Sequence, residues 1–466
     1  MDIFYQSVKS ILSNTKSRVL LHNYVQTEWF DINCGVRQGD SLSPTLFSIF
    51  INDVVDHLKS NCPSIQIGDT NLNCLLYADD MVLIGENEDS LQCLLNELKN
   101  WCDNWRVKVN ESKTQVVHFR NKRSDVTNSR FMYDGKELEI KNSYRYLGVI
   151  LDEHLDLNYC TQTLADAAGR ALGSIISKFK SLRNVGYETF TKLFSSGVQP
   201  ILEYSSGVWG FHRAIDIDMF QNRAIRYFLN LHKFAPNIAL NSEMGWVSPS
   251  FNRYICMLRL WNRLLLKPDT ELCKKLFLVD YNLSDKNWSS EIKNICNDLQ
   301  IETVYENKTV CDLAYVKDGV KELMLKDWRE NVVKKPKLRT YVTFKNNVDV
   351  EPYVKHCNLR QNRSIMAQIR CGILPIRLET GRFCRLPVDN RLCELCNLGK
   401  VEDEFHFMME CSLYQGERER LFNALNVDIR DDNKEEVFKD LFRNNWREVI
   451  LYLKYIWKKR QDKLFK

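Results

Sequence analysis

The spacing of apolar residues changes period along the first 150 residues, which predicts helices interleaved with strands. The clearest helix is NEDSLQCLLNELKNWCDNW at 87–105, where Leu and Trp recur at three- and four-residue intervals. A second helix is predicted over 45–59, with Ser43 as its N-cap and Pro44 in its first turn. It is apolar on most sides, so we expect it to be buried. Strands are predicted in the apolar runs at 114–119, 131–140 and 144–151.

After about residue 155 the pattern becomes mostly helical. Segments of helical period cover 156–182 and 187–202, and Pro200 interrupts the second of them. Residues 265–350 are Lys-rich and weakly patterned, which predicts a linker with a basic face. The chain as a whole is predicted to be an α+β protein, in which helices on a small antiparallel sheet are followed by a largely helical region.

The composition is that of an ordinary globular protein, with 44% hydrophobic and 27% charged residues over 466 positions. A net charge of +5 is compatible with a polyanionic partner but does not require one. The 16 cysteines are scattered along the chain without a secretory leader pattern, which favours a reducing compartment. No apolar run approaches the roughly 20 residues that cross a bilayer, so no membrane span is predicted.

One stretch, CLLYADDMVLIG at 74–85, places two adjacent acids between apolar runs. A buried carboxylate is costly unless it is paired, hydrogen-bonded or bound to a metal ion. The two runs predict antiparallel strands, and Asp79 and Asp80 then lie at the turn between them. Two interpretations remain open for this stretch by itself: an ordinary exposed turn, or a hairpin tip that binds a divalent metal ion.

Three further motifs accompany this stretch in a fixed order. GVRQGDSLSPTLFSIFINDV at 35–54 precedes it, and NWRVKVNESKT at 104–114 and YRYLGVIL at 144–151 follow it. In this order the four motifs resemble motifs B, C, D and E of reverse transcriptases. The QGDSLSP and YLG forms resemble the non-LTR retrotransposon (LINE) class in particular.

The resemblance implies an RNA-directed DNA polymerase with part of a right-hand palm. It implies four regions: a partial palm at 1–153, a thumb at 154–240, a helical connection at 241–385, and a zinc-knuckle region with a basic tail at 386–466. The implied partners are an RNA template, a DNA primer or target, and an element RNA-binding protein. Such enzymes work at chromosomal targets, which favours a nuclear over a cytoplasmic location.

Motif C implies a magnesium or manganese site, because two-metal polymerases hold hard cations on carboxylate oxygens. Asp79 corresponds to the metal ligand, and Asp80 supports the same centre less directly. Tyr77 would lie near the primer or nucleotide, with ordinary strand packing as the alternative.

The other motifs imply contacts with nucleic acid. Gln38 and Gly39 correspond to residues that shape the pocket for the template base and nucleotide, and Arg37 is a candidate phosphate contact or a plain surface residue. Lys113 corresponds to a lysine that protonates pyrophosphate, or is an ordinary surface lysine. The implied primer grip consists of Tyr146, Leu147 and Gly148.

The first catalytic acid of the family, in motif A, has no match in residues 1–34, where Asp31 lies on the segment that leads into motif B. We therefore expect weak Mg²⁺ binding and little polymerase activity from this chain alone, and we interpret it as the C-terminal part of a longer polyprotein. The alternative function is a catalytically silent nucleic-acid-binding protein derived from a retrotransposon.

Near the end of the chain, Cys393, Cys396, His406 and Cys411 follow the spacing C-x2-C-x9-H-x4-C. Three thiolates and one imidazole suit a tetrahedral structural Zn²⁺, and LINE proteins commonly end in such a knuckle. The alternative is that Cys393 and Cys396 are small core residues and His406 lies on a helix surface. Nucleic-acid contacts are predicted for nearby cations: Arg377, Arg382, Arg385, Arg391 and the tail KKRQDKLFK at 458–466.

Overall fold

The computed structural model describes residues 3–20, 26–32, 35–182, 184–283 and 286–464. The chain divides into two compact units, residues 1–144 and 145–466. It is rich in helices and has only small sheets, consistent with the predicted α+β class. The finer boundaries at 240 and 385, and the assignment of palm and thumb, remain predictions.

In its described residues the first unit has helices and short strands that alternate. The helices are α1 (Ile3–Leu12), α2 (Ser43–Ile51), α3 (Asp53–Asn61) and α4 (Glu88–Trp105), with a 3₁₀ turn at Glu111–Lys113. The strands are β1 (Lys16–Ser17), β2 (Phe30–Asp31), β3 (Ile65–Ile67), β4 (Thr70–Leu72), β5 (Cys74–Tyr77), β6 (Asp80–Leu83), β7 (Gln115–Val116), β8 (Phe131–Tyr133) and β9 (Lys136–Ile140).

The predicted amphipathic helix at 87–105 is confirmed as α4. Asn87 caps it: its side chain accepts a hydrogen bond from the Ser90 backbone N–H, and the Ser90 hydroxyl accepts one from the Asn87 N–H. The helix ends at Arg106, which adopts a left-handed conformation. The apolar stripe of α4 forms much of the core of the first unit through Leu94, Leu95, Leu98, Trp101 and Cys102.

The single buried helix predicted over 45–59 is wrong in two respects. The chain forms two helices, α2 and α3, which meet at Asn52. The helix is also not buried on most sides, because Ile49 and Phe50 of α2 are 68% and 37% exposed. Ser43 lies inside α2, where its hydroxyl donates to a carbonyl rather than capping the helix.

The strands form separate small sheets rather than one antiparallel sheet. β3 pairs with β4 and β5 with β6 as antiparallel hairpins, whereas β7 runs parallel to β9. Strand period alone does not specify which strands pair, so the single sheet predicted from the sequence is incorrect.

The second unit is almost entirely helical after the hairpin of β10 (Ser143–Tyr146) and β11 (Val149–Asp152). Its helices are α5 (Asn158–Leu182), α6 (Tyr187–Gly197), α7 (Gln199–Leu202), α8 (Ser206–Trp209), α9 (Ile215–Leu229), α10 (Asn237–Met244), α11 (Pro249–Leu265), α12 (Leu272–Asn282), α13 (Trp288–Asp298), α14 (Glu302–Glu306), α15 (Leu313–Val332), α16 (Tyr341–Phe344), α17 (Pro352–His356), α18 (Arg360–Arg370), α19 (Arg377–Phe383), α20 (Gln415–Leu425), α21 (Lys434–Arg443) and α22 (Trp446–Leu464). A π-helical turn covers His406–Glu410, and 3₁₀ turns cover Pro336–Leu338, Val388–Asn390 and Ser412–Tyr414.

The linker predicted at 265–350 is in fact structured. It carries the helices from α12 to α16, and α13 and α15 contribute Ile292, Cys296 and Val320 to a buried cluster around Trp261. Lysines on the exposed faces of these helices obscure their apolar period in the sequence. Within the described residues, no helix has both the length and the apolarity that a bilayer span requires.

Candidate functional site

The hairpin that carries the adjacent acids is held on the core of the first unit by one of its two faces. Leu75 pairs with Val82 and Leu76 with Met81 across β5 and β6. The face that includes Cys74, Leu76, Met81 and Leu83 packs against the core. The opposite face carries Tyr77 and Asp80, which form the last pair before the turn. The apolar runs around the acids are therefore the anchor of the hairpin.

The tip of this hairpin presents its two carboxylates to solvent. Ala78 and Asp79 form the turn, and Ala78 adopts the left-handed conformation with φ of +52° that tight hairpin turns require. Asp79 and Asp80 are both exposed, and among the described residues neither carboxylate has a hydrogen bond or an ion pair. Tyr77, 63% exposed, stands directly across from Asp80. Carboxylate oxygens are the donors that a hard divalent cation prefers.

The motif B loop is tied down inside the first unit. One Nη of Arg37 donates to the Ile11 carbonyl at 3.2 Å and to Thr15 Oγ1 at 3.1 Å, so Arg37 connects the loop to the end of α1. Ser43 Oγ donates to the Arg37 carbonyl at 2.6 Å. Gln38 and Gly39 form the exposed turn, where Gly39 has a φ of +85° that favours glycine.

Lys113 ends the 3₁₀ turn of the first unit and is exposed. Neither Lys113 nor the motif B loop is joined to Asp79 or Asp80 by a hydrogen bond or an ion pair among the described residues. The structure therefore gathers Tyr77, Asp79 and Asp80 at one tip, while the roles of Arg37, Gln38, Gly39 and Lys113 remain predictions.

At the start of the second unit the chain turns between β10 and β11 at Leu147 and Gly148, with φ values of +47° and +84°. A residue that sequence reasoning missed fixes this turn: the hydroxyl of Tyr204 donates to the Leu147 carbonyl at 2.8 Å. A Cβ at Gly148 would lie 2.8 Å from Cε1 of Tyr204, so the close approach of the ring requires glycine. Tyr204 comes 57 positions after Leu147, and nothing local in the sequence indicates the contact.

Cys393, Cys396, His406 and Cys411 come together in the second unit, and we call these four residues the CCHC cluster. One ligand atom from each lies within 4.8 Å of the others. The Cys393 and Cys411 sulfurs are 3.9 Å apart, and the Cys396 sulfur is 3.4 Å from His406 Nε2. Hydrogen bonding to Cys411 and burial raise the pKa of the Cys393 thiol to about 12. This donor set suits a tetrahedral cation that binds thiolates.

The cluster is part of the main core of the second unit rather than a separate exposed knuckle. Cys393, His406 and Cys411 are buried, so the alternative that His406 lies on a helix surface is wrong. The π-helical turn that begins at His406 leads directly into Cys411. Glu410 lies 3.3 Å from His406 Nδ1, which leaves Nε2 directed at the sulfurs.

Several cations near the cluster are engaged by the protein itself. Arg391 is buried and donates to the Leu378 and Leu386 carbonyls. In the predicted basic tail, Arg460 forms a buried ion pair with Glu402, and residues 465 and 466 lie outside the described residues. Further ion pairs join Arg377 to Glu394, Arg382 to Glu379 and Lys459 to Glu417. Much of the positive charge on the nucleic-acid surface predicted here is therefore already paired within the protein.

A cavity of about 170 Å³ elsewhere in the second unit combines aromatic rings with cations. The Arg360 guanidinium lies 4.7 Å from the ring centre of Tyr227, and that of Arg363 lies 4.0 Å from Phe228. Burial lowers the pKa of Arg363 to about 10. The residues that line the cavity include no acid: Phe179, Lys180, Val185, Phe190, Tyr227, Phe228, Arg360 and Arg363.

Comparison with known proteins shows a similarity that covers the first unit and the start of the second. Residues 3–151 match the family described as reverse transcriptase (RNA-dependent DNA polymerase). The curated relatives come from mobile elements of the LINE type. The resemblance to reverse transcriptases of non-LTR retrotransposons, inferred from the motif order, is therefore confirmed.

Three relatives, all from Drosophila melanogaster, show how far the similarity extends. The RNA-directed DNA polymerase from mobile element jockey is 24% identical over 212 residues, covering 44% of this chain and 22% of the relative. The probable RNA-directed DNA polymerase from transposon BS is 24% identical over 253 residues, covering 52% of this chain and 27% of the relative. The retrovirus-related Pol polyprotein from type-2 retrotransposable element R2DM is 30% identical over 125 residues, covering 25% of this chain and 11% of the relative. The chain thus spans about a quarter of the length of the first two relatives.

Proposed function

We propose that this chain supplies the motif C hairpin and the primer-holding hairpin of an RNA-directed DNA polymerase of a non-LTR retrotransposon. Its substrates would be a primed RNA template and deoxynucleoside triphosphates. Asp79 is the metal ligand in this proposal, Asp80 supports the same centre, and Tyr77 contacts the primer end or the nucleotide.

The observation that carries the proposal is the contrast between the two faces of the β5–β6 hairpin. One face is packed on the core, yet the tip holds two adjacent carboxylates that have no partner among the described residues. Asp suits an exposed turn, but two adjacent carboxylates repel one another. A cation at the tip removes the repulsion and makes use of the rigid anchor.

A divalent ion at this tip would supply charge neutralisation for the attacking and leaving oxygens of nucleotidyl transfer. The chain contributes the oxygen donors on a rigid support, and Tyr77 contributes an exposed ring beside them. Tyr146, Leu147 and Gly148 would hold the primer on a turn that Tyr204 keeps in place. The motif A acid is absent from residues 1–34, so we predict little or no extension by this chain alone.

The test locates the metal without relying on activity. Fe²⁺ with a reductant and peroxide releases hydroxyl radicals where the ion binds, and these cut the nearby backbone. We expect cuts close to residues 77–81, suppressed by excess Mg²⁺ or Mn²⁺ and lost in Asp79→Asn. Asp69→Asn is the matched control, because Asp69 is also an exposed acid at a hairpin turn of the first unit.

Four outcomes would contradict the proposal or part of it. Cutting elsewhere, or cutting at the tip that persists in Asp79→Asn, would show that Asp79 does not bind the metal ion. Magnesium-independent binding of a primed template, unchanged in Asp79→Asn, would favour the silent nucleic-acid-binding protein. Extension of a primer by the purified chain would instead show that residues outside the motif A pattern complete the centre.

We further propose that the CCHC cluster holds a structural Zn²⁺. Its donors are three sulfurs and one imidazole, and burial of three of them leaves little access for a substrate. Because the four residues lie in the main core, the ion would stabilise the second unit directly.

The cavity lined by Lys180, Arg360 and Arg363 is our candidate nucleic-acid contact in the second unit. The Phe rings and Arg363 are buried, so the cavity offers charge to phosphates rather than rings to bases. Lys180 is exposed and Arg360 partly so, which leaves positive charge accessible at the rim. In this proposal the predicted nucleic-acid surface lies here rather than on the paired arginines near the CCHC cluster.

A further inference from the structure

Two cysteines of the first unit lie in direct contact, although they are 31 positions apart in the sequence. Cys62 follows the last residue of α3, and Cys93 lies in the second turn of α4. Their sulfurs are 3.0 Å apart. We propose that Cys62 and Cys93 are a redox-active pair, which a neutral peroxide converts to a disulfide that cross-links α3 to α4.

Access differs between the two sulfurs. Cys62 is buried, whereas Cys93 is partly exposed and lines a cavity of about 310 Å³ with Ser64, Glu86 and Asp89. Burial, followed by the hydrogen bond with Cys93, raises the pKa of the Cys62 thiol to about 12. Cys93 is therefore the sulfur that meets the oxidant, and Cys62 is the resolving thiol behind it.

The chemistry balances with hydrogen peroxide as the oxidant. The Cys93 sulfur attacks one peroxide oxygen and the O–O bond breaks. The departing hydroxide takes the Cys93 thiol proton and leaves as water, and Cys93 becomes a sulfenic acid. The Cys62 sulfur then attacks the Cys93 sulfur, the S–O bond breaks, and the hydroxyl leaves with the Cys62 proton as a second water. Two thiols lose two electrons in total, and the peroxide gains them.

The carboxylates at the cavity select the class of oxidant. Glu86 and Asp89 are exposed at its lining, so an anionic disulfide such as oxidised glutathione meets like charge there. A small neutral peroxide does not. The inference is independent of the proposed polymerase function, since it needs only α3, α4 and the cavity between their ends.

Peptide mapping of the full chain tests the pair. Digestion with trypsin and Asp-N places Cys62 in residues 60–68, Cys74 in 69–78 and Cys93 in 89–99. After dilute peroxide and alkylation of free thiols, we expect 60–68 linked to 89–99, and loss of the link on adding a thiol reductant. Oxidation within the CCHC cluster gives different peptides and does not interfere.

The variants sharpen the result. Cys93→Ser abolishes the link, whereas Cys384→Ser, at an exposed cysteine of the second unit, leaves it unchanged. Oxidation of the wild-type chain should raise the unfolding midpoint of the first unit by roughly 5 to 10 °C, because the bond closes a loop of about 30 residues. The proposal is overturned if both cysteines are recovered alkylated, if Cys93 stops at sulfinic acid, or if Cys74 pairs with either one as readily.

Discussion

At the tip of the β5–β6 hairpin, the Asp79 and Asp80 side chains are exposed and have no partner among the described residues, whereas Cys393 and Cys411 of the CCHC cluster are buried. The tip offers hard oxygen donors on a short turn, and the cluster offers soft sulfur donors within a core. An ion bound at the exposed tip would be free to exchange and to contact a substrate, whereas an ion in the cluster would be enclosed by the core.

The two sets of donor atoms also differ in how the surrounding residues hold them in place. Nothing in the described part of the chain fixes the carboxylates except the hairpin itself, which is anchored through Leu76 and Met81. His406, by contrast, is oriented by Glu410, and Glu402 lies 3.8 Å from the Cys393 sulfur. Loss of metal should therefore unfold structure at the cluster and leave structure intact at the tip.

The largest effect is expected at the CCHC cluster. Cys411→Ser, or removal of the ion with a chelator, should abolish stoichiometric zinc and lower the unfolding midpoint of the second unit by roughly 10 °C or more. Zinc content by elemental analysis and calorimetry measure the two changes. Cys384→Ser should alter neither, because this cysteine is exposed and outside the cluster. A folded, zinc-free Cys411→Ser protein with an unchanged midpoint would make the cluster an ordinary part of the core.

At the hairpin tip, Asp79→Asn should have the opposite signature. We expect Mn²⁺ affinity, measured by electron paramagnetic resonance, to fall roughly tenfold or more, while the unfolding midpoint shifts by about 1 °C or less. Any shift without metal should be upward, because the substitution removes repulsion from Asp80. Asp69→Asn should leave the affinity unchanged. A large loss of stability in Asp79→Asn would erase the contrast with the cluster.

Local patterns in the sequence were sufficient to predict the hairpin of β5 and β6 and helix α4. Both depend on periodicity within about 20 residues, and the capping pair of Asn87 and Ser90 lies within the same short range. The spacing of the CCHC cluster was equally visible, although spacing could not reveal that the cluster lies in the main core.

Features that depend on distant contacts were not predictable. The chain gives no local sign that Tyr204 closes over the turn at Gly148, or that Arg391 is buried against carbonyls. The break between α2 and α3 at Asn52 was also not predicted. The apolar spacing over this stretch indicates one continuous helix, and spacing does not show which faces of a helix are buried. Period specifies an element, whereas tertiary contacts decide its burial and its partners.

The turn at Leu147 and Gly148 combines features of both sites, because it is a hairpin tip against which the Tyr204 side chain packs. Tyr204→Phe removes the hydrogen bond from the Tyr204 hydroxyl to the Leu147 carbonyl. The expected cost is about 1 kcal/mol, or roughly 2 °C in the unfolding midpoint of the second unit. Zinc content should be unaffected. A change as large as that of Cys411→Ser would show that this turn, too, is part of the core.

The smallest effect concerns the cavity that contains Lys180. Lys180→Ala should weaken binding of single-stranded RNA a few-fold at moderate salt and reduce the slope of log affinity against log salt by roughly 0.7, because one phosphate contact is lost. Fluorescence anisotropy over a salt series measures both. Lys317→Ala is the control, since Lys317 is an exposed lysine on α15 away from the cavity lining. If the two variants gave the same slope of log affinity against log salt, the cavity would not be a specific nucleic-acid contact, because any exposed positive charge would then explain the binding.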